Sequence, residues 1–203
     1  MKKIMFNDRY GLTEVVLEKR KTMTRRVERI DFFPGSRKEQ IEKLDTKERQ
    51  VWFGFDNKGN WIAQLISHYA IGEEIAVAQK YKELIGQGYL CRESDGWVSE
   101  EYVTSPGYSN KMFVRADLMP HRIRIINIRV ERLQDITEED CLKEGIIAGE
   151  QEPRLFGFRL PKGTILSFLT PREAFATLID RISGRGTWKR NPWVFVYEFE
   201  LAK

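Results

Sequence analysis

A chain of 203 residues with 41% hydrophobic, 12% aromatic and 32% charged residues has the makeup of one ordinary domain or two small ones, not of a disordered segment. Roughly 70% of its unfolded surface is buried on folding, so it needs no disulfide or metal staple. The net charge of +4 suits a nucleic-acid partner without requiring one, and no apolar run approaches the ~20 residues of a membrane helix.

The opening MKKIMFNDRYG has no apolar core of the kind a signal peptide carries. Cys91 and Cys141 fit no metal or redox spacing, so a reducing, cytoplasmic setting is expected. Leu12, Val15, Val16 and Lys19 recur at helical spacing and predict a short first helix. It runs out where the charges begin, which puts Lys21-Thr22-Met23-Thr24-Arg25-Arg26 at the end of that helix or in the turn after it. Residues 31 to 50 are charged, with only Ile41 and Leu44 at helical spacing, and read as an exposed helix or loop within a first insertion, 31–60.

Trp61 to Tyr69 and Glu74 to Ala78 predict strands, and Tyr81 to Pro106 reads as strands with long turns. Between Arg122 and Glu131 the alternation of isoleucines with polar residues slips by one at Ile126, the signature of a β-bulge. Thr137, Asp140 and Gly145 punctuate a helix. A second insertion, 146–169, is rich in glycine and proline. Thr170-Pro171-Arg172-Glu173 starts a helix with an apolar stripe, stopped at Gly184, and Trp193 to Leu201 predicts a half-buried closing strand. Several strands with few short helices imply an α+β fold, a small curved barrel.

Three groups of residues have chemical potential. Lys21 lies three residues from the hydroxyl of Thr24, with Arg25 and Arg26 beside it. Like-charge repulsion lowers such a lysine's pKa and makes it a usable base; the competing account is a solvated basic turn. Glu144 stands in the last turn of its helix, where the backbone dipole disfavours an anion by roughly 0.3–1 kcal/mol, which asks for a cationic partner elsewhere. The turn Gly184 to Trp193 offers Arg185, Lys189 and Arg190 to phosphates and Trp188 to a base, while Trp193 suits the core. His68 and His121 have no ligand-like neighbours, so neither a metal nor a cofactor is expected.

The segments KTMTRR, MPHRIRIINIRVERLQDITEEDCLKEG and AFATLIDRISGRGTWKRNPWVFVYEFE resemble, in order and spacing, the ASCH domain family of the PUA-like β-barrels. The resemblance covers about half the chain and implies a curved PUA-like barrel with flanking short helices and the two insertions. It also implies a partner that is RNA or a modified nucleoside or nucleotide. Some small members hydrolyse N4-acetylcytidine with the lysine and second threonine of a K-T-x-T-x-R turn and a glutamate ending the later helix. By motif these positions are Lys21, Thr24 and Glu144 here, with Arg26 as the motif arginine, and Arg25, Trp188, Lys189 and Arg190 are candidates for substrate binding. Arg25 departs from the apolar residue usual at its position, and Gln79 and Lys80 stand where larger members often carry an acidic residue. Binding without turnover and hydrolysis of an acyl group are both open on this sequence.

Overall fold

The structure is a computed structural model that describes all residues except 28–30, 33, 37–42, 49–50, 92–95, 151–153 and 203; for 31–32 and 43–48 only the backbone is described.

Trp193 to Phe199 carries aromatic residues on one alternation and valines on the other, so a strand there has two apolar faces and belongs inside a sheet. β12 (Trp193–Ala202) lies between β8 (Arg122–Arg132) and β2 (Met23–Val27), antiparallel to both. Beyond β8, β7 (Glu74–Val77) pairs antiparallel, and β1 (Lys3–Ile4) joins β7 in parallel. The order is β1-β7-β8-β12-β2, with β2 at one edge. The predicted bulge is present: Glu198 pairs with Asn127 and Phe199 with Ile125, which leaves Ile126 over and half exposed. The expectation of a half-buried closing strand is corrected, because Val194, Phe195, Val196 and Tyr197 are all buried. Phe195, Tyr197 and Phe199 meet the rings of Trp52, Tyr69 and Phe6 at 5.0–5.7 Å. The opposite alternation lies under α4 (Glu138–Lys143), through Arg25 and Asp140.

A second, antiparallel sheet holds β3 (Asp31–Phe32), β4 (Lys43–Glu48), β5 (Val51–Phe55) and β6 (Trp61–Ile66) in the order β3-β6-β5-β4. The reading of 31–50 as an exposed helix or loop is corrected at 31–32 and 43–48, which are strand; 33, 37–42 and 49–50, Ile41 among them, lie outside the described residues. The sequence of β4, KLDTKE, is charged because β4 is an edge strand, where charges discourage further pairing and an apolar pattern is not needed. Tyr81 to Pro106 is also corrected: it carries α2 (Tyr81–Gly86) and α3 (Glu100–Thr104), and among its described residues the β-character is one bridge between Cys91 and Val98. Tyr81 and Leu84, one helical turn apart, are buried in a small cluster with Ala76, Val114 and Met119.

The described residues of 146–169 hold a third antiparallel sheet of β9 (Ile147–Ala148), β10 (Phe156–Arg159) and β11 (Ile165–Phe168). Phe158 is 1% exposed within the main core and meets Tyr10 edge-on at 5.8 Å, so this segment is integral to the core. The remaining helices are α1 (Leu12–Leu17), α5 (Pro171–Ser183) and α6 (Thr187–Arg190). Thr137 and Thr170 cap α4 and α5 as predicted, accepting from Asp140 and Glu173 N–H. The strand pairings of the described residues run as open orders, an α+β architecture of three sheets with flanking short helices. Among those residues no helix is long and apolar enough to cross a membrane.

Candidate functional site

Helix α4 ends in a Schellman turn. Gly145 sits at φ +102° and its N–H donates to Leu142 O, while Ile146 N–H donates to Cys141 O. A side chain at 145 would be strained by that φ, although a Cβ would meet Leu12 and the Lys21 stem only at ordinary contact distance. The turn leaves the Glu144 carbonyl without a helical partner, and Lys21 supplies it. Lys21 Nζ donates to Glu144 O at 2.7 Å and to Glu144 Oε2 at 2.6 Å. Thr22 N–H donates to Lys143 O, and Lys21 N–H to Val15 O, which clamps the lysine between α1 and α4. The cationic partner that Glu144 asked for is thus Lys21, and both side chains are buried.

From Met23 onward the basic stretch is strand β2, not a turn. Strand alternation then separates its residues by face. Thr24 pairs with Tyr197 and Arg26 with Phe195 on the aromatic face, and Arg25 pairs with Val196 on the face under α4. Along this edge lies a cavity of about 730 Å³ whose walls include Lys21, Thr24, Arg25, Arg26 and Glu144, with Phe175, Leu178 and Ile179 of α5 among its apolar lining. Arg9, Lys80 and Lys111 add cations, against the carboxylates of Asp8 and Glu144. Burial pushes the Lys21 pKa below its ordinary value; Glu144 opposes this, and the neighbouring charges of Arg26 and Arg25 add to it. The Thr24 hydroxyl lines the same cavity but makes no hydrogen bond to Lys21, and it has no partner among the described residues. Arg26 donates to Met5 O at 2.8 Å and lies 5.9 Å from the Phe6 ring, as does Lys21 Nζ.

Arg25 is used differently from a residue waiting for a ligand. Its guanidinium donates to Glu131 at 2.7 and 3.0 Å, to Asp140 at 2.7 Å and to Glu144 Oε1 at 3.2 Å. Arg129 continues the network to Glu131, Asp140 and Glu198. Arg25 therefore fixes one oxygen of Glu144 while Lys21 takes the other, a positioning contact at the cavity wall.

Trp188, Lys189 and Arg190 are not among the residues lining the cavity. Trp188 packs edge-on against Phe175 at 6.2 Å and under the Arg172 guanidinium at 5.2 Å, so its ring is half-buried in structure. Arg190 donates to Thr187 Oγ1 and Arg185 O, stapling its own loop, and Lys189 is exposed. Sequence reasoning missed Phe6, Asp8 and Lys111, which line the cavity outside any motif; Asp8 accepts from Lys111 at 2.6 Å. Among the described residues no group of histidine, cysteine or acidic side chains is arranged to hold a metal ion. In comparisons with known proteins the chain matches no family model, no curated protein and no solved structure.

Proposed function

We propose that this chain is an ASCH-type, PUA-like domain that holds a modified nucleoside, free or within RNA, in the cavity beside Lys21. The observation that carries this reading is the meeting of Lys21 with Glu144 at 2.6 Å, buried, on the wall of a cavity that Thr24 and Arg26 also line. A volume of about 730 Å³ lies within the usual 300–1,000 Å³ of small-molecule sites. Its cations suit a phosphate or ribose oxygen and its Phe6 and α5 surfaces suit a base. The test is calorimetric titration of the full chain with N4-acetylcytidine and with cytidine. Preferential binding of the acetylated nucleoside is the expected result, and equal indifference to both removes the reading.

One observation favours turnover as well: Thr24, whose hydroxyl has no partner among the described residues, lines the same cavity as a lysine whose pKa is lowered. In that reading the deprotonated fraction of Lys21, which the lowered pKa enlarges, takes the Thr24 proton, Oγ1 bonds to the acyl carbon, and the C–N bond breaks. The proton held by Lys21 passes through Glu144 to the leaving amine, and water then hydrolyses the acyl-threonine to release the free acid. Release of cytidine and acetate from N4-acetylcytidine, followed by chromatography, separates catalysis from binding alone.

A further inference from the structure

We propose that the cavity beside Lys21 is a nucleotide site: it takes its nucleoside with a phosphate attached, and Arg9 and Arg26 are the phosphate ligands. This rests on the nucleoside reading of that cavity and narrows its ligand class.

The cations of the wall divide by what already holds them. Lys21 is paired with Glu144 at 2.6 Å, and Arg25 with Glu131, Asp140 and Glu144. Lys111 and Lys80 both pair with Asp8, at 2.6 and 3.1 Å, and Lys80 also pairs with Glu83. Arg9 and Arg26 differ. Both line the cavity, and neither meets a carboxylate among the described residues. The Arg9 guanidinium is exposed and has no hydrogen-bond partner among those residues either. Arg26 donates to Met5 O at 2.8 Å, which leaves most of its guanidinium donors for a ligand. That bond also ties the segment carrying Arg9 to β2, which carries Arg26.

The other polar groups of the wall agree. Its two carboxylates, Asp8 and Glu144, are both taken by cations. Asn7 and Asn110 commit their amide oxygens to backbone, accepting from Arg9 and Met112 N–H at 3.0 Å each. Their NH2 groups are left as donors. The remaining polar side chains are the hydroxyls of Thr24, Ser109 and Ser183, which can donate as well. A wall with two unpaired guanidiniums and further open donors calls for a negatively charged ligand rich in acceptors. A phosphate is both, and guanidinium–phosphate bonds are of the strong, charge-assisted kind. A nucleoside without phosphate leaves both arginines to water.

The test uses the full chain with Thr24→Ala, so that an acyl group stays in place. It is titrated calorimetrically with N4-acetylcytidine and with its 5′- and 3′-monophosphates. At least one monophosphate is expected to bind on the order of tenfold tighter than the nucleoside. Adding Arg9→Gln is expected to cut that preference to within about threefold. Lys58→Gln, an equal loss of charge in the β5–β6 turn outside the cavity lining, is expected to keep it. A methyl ester of the preferred phosphate separates two sources of the same group: affinity kept marks a phosphate within an RNA chain, affinity lost a free nucleotide. Equal affinity for the nucleoside and both monophosphates overturns the phosphate site and leaves the nucleoside reading standing. A preference untouched by Arg9→Gln, or lost equally in Lys58→Gln, overturns its assignment to these arginines. Failure of nucleoside and nucleotides alike to bind overturns the nucleoside reading, and this inference falls with it.

Discussion

Lys21 Nζ touches both the carboxylate and the backbone carbonyl of Glu144, across 123 residues of chain. One ammonium therefore closes a helix end and neutralises the anion there. The partners are not equivalent, because Glu144 also accepts from Arg25 at 3.2 Å. Glu144→Leu strands a buried ammonium and should cost about 3–5 kcal/mol at neutral pH. Lys21→Met leaves Glu144 held by Arg25 and should cost less than that range. Urea unfolding midpoints of the two variants check the order.

Two buried groups give the alkaline stability profile opposite slopes. Burial lowers the Lys21 pKa below the ordinary 10.5, so between the folded value and 10.5 the unfolded chain binds more protons and stability rises with pH. Burial pushes the Cys141 thiol up from 9.0 to about 12. Over that window the folded chain binds more protons, and stability is lost as pH rises, by up to about 4 kcal/mol. The stability advantage of wild type over Cys141→Ala should shrink from pH 9 upward, while that over Lys21→Met should grow as pH approaches 10.5. Urea titrations at intervals from pH 7 to 11 measure both differences.

Local signals in the sequence carried much of the fold. The slip at Ile126, the caps at Thr137 and Thr170 and the stop at Gly145 each depend on a few neighbouring residues, and the structure has all of them. What was not legible depends on tertiary position. Strand β4 is charged because it is an edge, and no local pattern says so. Glu131 and Asp140 lie 106 and 115 residues from Arg25, so only the folded sheet shows that its guanidinium is occupied. Lys21 and Glu144 were legible as chemical types, and the fold brings them together. The end of the apolar stripe at Lys19 points to a helix end or turn for the basic stretch, and no local pattern marks Met23–Val27 as a strand. As an edge strand it faces the network on one side and the cavity on the other.

Thr24 separates function from stability. Its hydroxyl has no hydrogen-bond partner among the described residues, so isosteric Thr24→Val should change stability by no more than about 0.5 kcal/mol. Under the hydrolytic reading the same change removes the nucleophile. Release of cytidine from N4-acetylcytidine should then fall by at least about a hundredfold, with Thr24→Ser retaining part of it. A Thr24→Val protein that releases cytidine at the wild-type rate excludes this hydroxyl from the chemistry.

Arg25 should behave as the keystone of the carboxylates around it. Its side chain is 0% exposed and sits among Glu131, Asp140 and Glu144. Arg25→Leu leaves three carboxylates close together, with Lys21 and Arg129 to compensate among the described residues. The cost at pH 7 should be about 3–5 kcal/mol, as for other broken buried pairs. Crowded carboxylates without their cation hold protons more tightly, so acid relieves the repulsion, and the deficit should narrow as pH falls toward the ordinary carboxylate range. Arg25→Lys restores charge but reaches fewer oxygens, so it should recover part of the stability and not all of it. Thermal or urea unfolding of the three proteins at pH 7 and near pH 4.5 distinguishes this from a packing defect, which would leave the deficit independent of pH.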